Sequence, residues 1–314
     1  MSLLFNSENE EVKLGVVNVN EILLNKLKNE DIKIINYDNL KNPTEVVVED
    51  ELDAVLQFEE GKYIITIKNS DPSSAKGLVM KLKQILTTFS IPSTQELNLE
   101  NIIVKTNYVY GSSETVFFDV LSPILIGFFV FFFVFLISGI GFLKERTSGT
   151  LEKLMSTPIK RGEIVAAYLT GFGLFAVFQT IIVVVFSIYV LEIVLVGSIW
   201  NVILINLVLA LVALSLGTLL SAFAATEFQM VQFIPITIIP QFFFSGIIPI
   251  EGMANWLQIL AKFMPIYYAA DALKGVMYKG HDLINIVHDL LALGIFAVTF
   301  ILLNILALKR YRRI

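Results

Sequence analysis

Hydrophobic and polar positions divide this chain of 314 residues into two unlike parts. From residue 117 onward, long apolar runs alternate with short polar breaks. Residues 120–143, 164–191 and 193–226 carry no charged side chain at all. About 20 apolar residues suffice for a helix to cross a ~30 Å hydrocarbon core. The pattern therefore predicts five spans, over residues 118–142, 164–190, 198–224, 228–249 and 288–308. Pro235 and Pro240 inside the fourth run predict a kinked helix, since each removes a backbone donor. Residues 250–287 are interrupted by Lys262, Pro265, Asp271 and Lys274. They predict two short amphipathic helices, at 253–264 and 269–277, folded as a re-entrant hairpin in the outer leaflet.

Residues 1–116 follow a different rhythm. Residues 12–19 alternate and are rich in Val, which predicts a strand, and 32–37 predicts a second. Between them, 21–27 predicts a short helix with Ile22, Leu23 and Leu27 on one side. Residues 54–58 and 63–67 flank Glu59-Glu60-Gly61-Lys62 and predict a hairpin. Residues 73–89 predict a helix whose apolar stripe is Leu78, Leu82, Ile85 and Leu86. A helix within the acidic stretch 43–53 and a strand at 102–110 complete a small α/β domain. The expected fold class is thus an α-helical membrane protein with five transmembrane helices and an outer-leaflet re-entrant hairpin. It is preceded by an extracytoplasmic α/β domain, with the division at 1–116 and 117–314.

Charge supplies the orientation. All five Arg, at 146, 161, 310, 312 and 313, fall in the island 144–163 or in the tail. The island holds five Lys or Arg, and residues 191–199 hold none. The positive-inside rule puts the island and the C-terminus in the cytoplasm of a multi-pass cell-membrane protein. Five spans then leave the N-terminal domain outside. The net charge of −5 argues against a nucleic-acid partner. The absence of Cys removes disulfides, thiol catalysis and Cys-based zinc sites together.

The island is where candidate chemistry concentrates. Leu151, Leu154 and Met155 fall at i, i+3 and i+4 and share a helix face. Thr147 or Ser148 is placed to cap that helix, and Glu152 suits its positive end. Thr157-Pro158 reads as a second helix start, with Pro158 at the first helical position. The run Glu145-Arg146-x-x-Gly149-Thr150-Leu151-Glu152-x-Leu154-x-x-Thr157-Pro158-Ile159 resembles the cytoplasmic signature of ABC-2 type transporter permeases. Two further runs resemble the same family. One is Phe244-Ser245-Gly246-Ile247-Ile248-Pro249-Ile250-Glu251, followed by Trp256-Leu257 and by Pro265 with Tyr267, Tyr268, Ala269, Asp271, Ala272 and Leu273. The other is Phe118-Asp119-x-x-x-Pro123 at the head of the first span.

The resemblance implies that the island is a coupling element docking on a separate ABC ATPase subunit. Its contact residues would be Glu145, Arg146, Gly149, Thr150, Leu151, Glu152, Leu154, Thr157 and Pro158. Glu145 and Arg146 would anchor the loop by charge pairing, and Gly149 would permit close backbone approach. An outer gate would use Asp119, Pro123, Gly246, Pro249, Glu251, Pro265 and Asp271. Two membrane halves would pair, as a homodimer or with a paralogous permease, surrounded by lipid. The chain would need no cofactor of its own, with ATP on the partner subunit. No Walker A, GxSxG or HExxH pattern is present, and His281 and His288 lack a third metal ligand. The chain is expected not to be an enzyme. The island and residues 171–179 most resemble the branch that expels lipophilic antibiotics such as linearmycins, which implies drug efflux and antibiotic resistance. A sodium-efflux permease is the alternative within the family, and a non-transporting receptor or scaffold the alternative outside it. Family members generally have six spans, with the outer domain between the first and second. Leu3-Leu4-Phe5 resembles the tail of such a first span, so the expectation is that this helix is missing from the sequence.

Overall fold

The computed structural model describes residues 12–30, 32–89, 104–248, 250 and 252–308. They divide into two compact units, with the division between Val120 and Leu121.

The first unit is a five-stranded sheet in the order β2-β1-β3-β4-β5. Its strands are β1 (Val12–Val17), β2 (Ile32–Tyr37), β3 (Ala54–Glu59), β4 (Lys62–Ile67) and β5 (Val104–Tyr108). β1 runs parallel to both β2 and β3, β3 and β4 form an antiparallel hairpin, and β5 is parallel to β4. The hairpin turn is Glu60-Gly61, both with positive φ, the backbone that a two-residue turn between twisted strands requires. β1 stops at Val17, two residues before its predicted end, because Asn18 enters the left-handed region at φ 53°. Asn20 then caps α1 (Glu21–Lys28) by accepting the Ile22 N–H at 3.0 Å. α3 (Pro72–Phe89) is started by Asp71, whose carboxylate takes the Ser73 N–H at 3.0 Å. Leu14, Leu56, Ile65, Leu78, Leu82 and Leu86 form the core between sheet and helices. The acidic stretch resolves into α2 (Pro43–Glu49), which seats Val47 against Leu52 and Val55. Tyr37 donates its phenol proton to Asp50 there; burial and that carboxylate push its pKa up to about 12.

The second unit carries five helices long and apolar enough to span a membrane among the described residues. They are α4 (Phe117–Thr147), α6 (Arg161–Tyr189), α7 (Ile199–Ser221), α8 (Glu227–Phe242, continued by a π-helical turn Phe243–Ile247) and α11 (Leu283–Ala307). Between them lie α5 (Thr150–Met155), α9 (Asn255–Ala261) and α10 (Pro265–Met277). Of its most apolar window, 61% is buried in α7, against 22% in α6 and 17% in α11. So α7 is the central helix, while α6 and α11 turn apolar faces outward. α7 meets α4 through small residues: a Cβ on Gly217 would lie 2.6 Å from the Phe135 carbonyl oxygen.

Several boundaries differ from the sequence reading, each for a local reason. α4 runs on to Thr147, because Lys144 and Arg146 suit the negative end of its dipole. α10 begins at Pro265 and not at 269. Pro265 needs no N–H partner at the first helical position, and the next donor, Ile266 N–H, is taken by Gln241 Oε1 at 3.1 Å. α11 begins at Leu283, so His288 and Asp289 lie inside it.

Candidate functional site

The island forms the link between α4 and α6. Arg146 anchors it: Nη1 donates to the Ala222 carbonyl at 2.8 Å and Nη2 donates to Ala224 O. Ala222 is the C-cap of α7, where a helix leaves acceptors without intrahelical donors, and Ala224 lies two residues beyond it. Arg146 is thus held at least in part by main chain. Thr147 and Ser148 do not cap α5. Thr147 Oγ1 donates back to Lys144 O (3.3 Å) and Ser148 Oγ to Glu145 O (3.1 Å), both closing α4. The residue before α5 is Gly149, at φ +79°. A Cβ there would meet nothing within 4 Å, so glycine answers a backbone requirement and not a close approach within this chain.

α5 splits its predicted face. Leu151 is buried with Phe142, Ile164, Val165 and Leu308, and Met155 packs against the same cluster. Leu154 points elsewhere. It lines a groove of about 550 Å³ together with Glu145, Thr150, Ile159, Glu163, Ile164, Ala167 and Tyr168. The groove wall is apolar and two carboxylates lie along it. Thr157 Oγ1 donates to Leu154 O at 2.6 Å and helps close α5. Glu152 and Pro158 are exposed. Pro158 is not the start of the next helix: α6 begins three residues later, where Glu163 Oε2 accepts the Lys160 N–H at 2.9 Å. That carboxylate cap is the stronger start signal.

The residues expected at the gate are spread over several elements. Asp119 Oδ2 accepts the Val116 N–H at 2.9 Å and so caps the first turn of α4, where Pro123 is buried two turns in. Gly246 interrupts the π-helical turn at φ +83°, and a Cβ on it would lie 3.4 Å from Lys274 Nζ of α10. The structure thus brings Gly246 beside the helix that carries Pro265 (buried at its start) and Asp271 (exposed). Pro249 and Glu251 lie outside the described residues. Most polar side chains inside the spans, among them Ser138, Asn206, Ser215 and Thr218, donate to a carbonyl of their own helix, and two tie helices together. Asn304 Nδ2 donates to Ser215 O at 2.7 Å, joining α11 to α7. Gln241 joins α8 to α10 through Ile266. Gln179 is different, with both amide atoms buried and unpartnered. No group of three potential metal ligands occurs among the described residues.

A model of ABC-2 family transporter proteins matches residues 1–306. The chain belongs to this family. Its relatives include ABC transporter G family member 20 of Dictyostelium discoideum, 24% identical over 298 residues, which are 86% of this chain and 40% of that protein. The probable multidrug ABC transporter permease YbhR of Escherichia coli is 24% identical over 72% of this chain and 62% of its own length. The probable multidrug permease YbhS is 26% identical over 53% of this chain and 45% of its own. The chain thus spans between two fifths and two thirds of the length of these relatives. As an ABC-2 family transporter protein with five helices apolar enough to cross a membrane among the described residues, it is a multi-pass membrane protein.

Proposed function

We propose that this permease exports lipophilic or amphiphilic compounds, driven by a separate ATPase subunit that docks on α5 and the groove beside it. The observation that carries this reading is the division of labour on α5. Leu151 seats the helix in the core, while Leu154 stays turned toward an open groove with Glu145 and Glu163 along it. A helix that is firmly seated yet presents an apolar residue to a cleft suits the transmission of a push. ATP binding and hydrolysis belong to the partner subunit. The names of the Escherichia coli relatives support the cargo class. So does the chemistry inside the spans, where residues 120–143, 164–191 and 193–226 carry no charge and the buried amide of Gln179 is unpartnered, which suits an amphiphile.

The excess of Lys and Arg at 144–163 places α5 in the cytoplasm in this reading. Residues 1–116 then form an extracytoplasmic domain, 117–314 the transmembrane domain, and α9 and α10 a pair in the outer leaflet. Two copies, or this chain and a paralogue, assemble the path. Closure of the ATPase dimer presses on α5 and tilts α4 and α6. The outer ends of α4 and α8, with Asp119, Pro123, Gly246, Pro249, Glu251, Pro265 and Asp271, form the gate.

The test is reconstitution. Purified with its ATPase subunit in proteoliposomes, the chain is expected to move a lipophilic fluorescent dye only when ATP is supplied. A chain that binds no ATPase and moves no dye would instead be a receptor or scaffold. Orientation is tested separately, because the sequence contains no Cys. Ser73→Cys, on the exposed start of α3, is expected to react with an impermeant maleimide on intact cells. Ser156→Cys, exposed after α5, is expected to react only after permeabilisation. Labelling of position 156 on intact cells would invert the topology.

A further inference from the structure

The last turn of α10 has its carbonyls satisfied from two separate stretches of chain. A helix ends with C=O groups that lack intrahelical donors. Lys274 O accepts from Tyr278 and Lys279 N–H at 3.0 and 3.2 Å, and Gly275 O accepts from His281 N–H at 2.8 Å. The remaining two, Val276 O and Met277 O, accept from Gly197 N–H at 3.1 Å and Val196 N–H at 2.9 Å. Those donors lie in the connection between α6 and α7. The other end of the same connection is bonded to α6. Val190 and Leu191 N–H reach Phe186 O at 2.9 and 3.1 Å, and Ile193 N–H reaches Ser187 O at 3.2 Å. Residues 190–197 are therefore a strap, hydrogen-bonded to α6 at one end and to α10 at the other.

Gly197 is what lets the strap close. A Cβ there would lie 2.6 Å from Val276 O and 3.1 Å from Val276 Cγ1. That oxygen is the acceptor itself and cannot retreat without losing the bond. Gly280 closes the other side: at φ +74°, its Cβ would lie 3.0 Å from Val196 Cγ1. α10 is in turn held in the main core through Ile266, Ala269, Leu273 and Val276. The Tyr189 end of α6 is thereby tied to the body of the unit, while its Arg161 end sits against α5 through Ile164 and Val165.

We propose that the strap makes the Tyr189 end of α6 a pivot, with Gly197 as its positioning residue, so that a push on α5 tilts the span instead of sliding it. The pivoting rests on the coupling reading given above; the strap does not.

Hydrogen exchange on the permease in lipid nanodiscs tests the strap. Gly197→Val introduces the clash, and Val196→Pro removes the donor to Met277 without adding bulk at 197. In both variants, exchange in peptides 190–198 and 274–281 is expected to rise together, by about ten-fold or more. If α10 keeps its protection while the strap loosens, the strap is not its cap and the proposal falls. Spin-label pairs in the Cys-free chain test the pivot, in the complex with the ATPase subunit with and without ATP. The 160/225 distance is expected to shift on ATP binding while 189/279 stays; with Gly197→Val, 189/279 shifts as well. A 189/279 shift as large as the 160/225 shift in the unsubstituted strap would overturn the pivot. No shift in either pair during ATP hydrolysis would overturn the coupling reading and the pivot with it, leaving the exchange result to decide the strap.

Discussion

Leu154→Asp is expected to abolish ATP-driven export while leaving folding and membrane insertion intact. Leu154 is half-buried and lines the groove, and the seat of α5 is made by Leu151 and Met155. Removing the leucine therefore costs the core little. At a docked interface the loss is larger. A buried apolar anchor is typically worth about 2 kcal/mol, which is roughly a 30-fold weaker complex. The new carboxylate also joins Glu145 and Glu163 along one groove, so a third like charge adds to the loss. The expected result is an unchanged elution profile and an unchanged thermal midpoint. Recovery of the ATPase subunit and substrate-stimulated hydrolysis each fall at least about ten-fold. Leu151→Asp is the contrasting variant. Its side chain is 1% exposed, so a charge there is expected to prevent accumulation of the protein altogether. Normal pumping by Leu154→Asp would remove α5 from the coupling path.

Gly217→Leu is expected to prevent the protein from accumulating, and Gly217→Ala to lower its thermal midpoint in detergent. The position where α4 and α7 touch is built from Ser138, Gly139 and Gly217. A Cβ on Gly217 would lie 2.3 Å from Ser138 Oγ, 2.6 Å from Phe135 O and 3.2 Å from Gly139 N. The last two are backbone atoms of a helix and cannot turn aside as a side-chain end does. Overpacking of this kind costs typically 1–3 kcal/mol, and more when backbone must move. The opposing gain, alanine over glycine inside a helix, is about 1 kcal/mol, so the clash wins. Gly171 and Gly173 provide the control. Both lie inside α6 with nothing within 4 Å of a new Cβ. There only the propensity term remains, and alanine is expected to be neutral or slightly stabilising. Equal midpoints for Gly217→Ala and Gly171→Ala would show that the α4–α7 contact does not limit stability.

The two predictions draw on different levels of information. Leu154 was visible as part of an amphipathic face at i, i+3 and i+4, but that spacing groups it with Leu151 and Met155. Which of the three is the seat depends on Phe142 and Ile164 of neighbouring spans, and local periodicity carries no knowledge of them. Arg146 was legible as a charge at a helix end. Two of its partners, the carbonyls of Ala222 and Ala224, lie 76 and 78 residues away and are main chain, so no side-chain pattern announces them. Pro158 misled for a related reason. Proline is tolerated at a helix start but does not oblige one, and Glu163 bonding back to Lys160 outweighs it. Gly149 and Gly217 look alike as letters, yet one answers a positive φ and the other a backbone contact across two helices.

By itself the sequence determined the rough extent of the five long apolar helices among the described residues, because a helix crossing hydrocarbon must satisfy its backbone internally and present some 20 apolar residues. It also determined the α/β character of the first unit, through alternation and turn chemistry, and the family, through residues 118–280. Tertiary structure alone decided which helix is central, since α7 and α11 are almost equally apolar and differ in what packs around them. It alone decided that Leu154 faces a groove, and that Val196 and Gly197 finish a helix some 80 residues later in the chain. Burial and carbonyl capping are properties of pairs of segments. A single segment's composition states what it can satisfy within itself, and leaves open which distant segment supplies the rest.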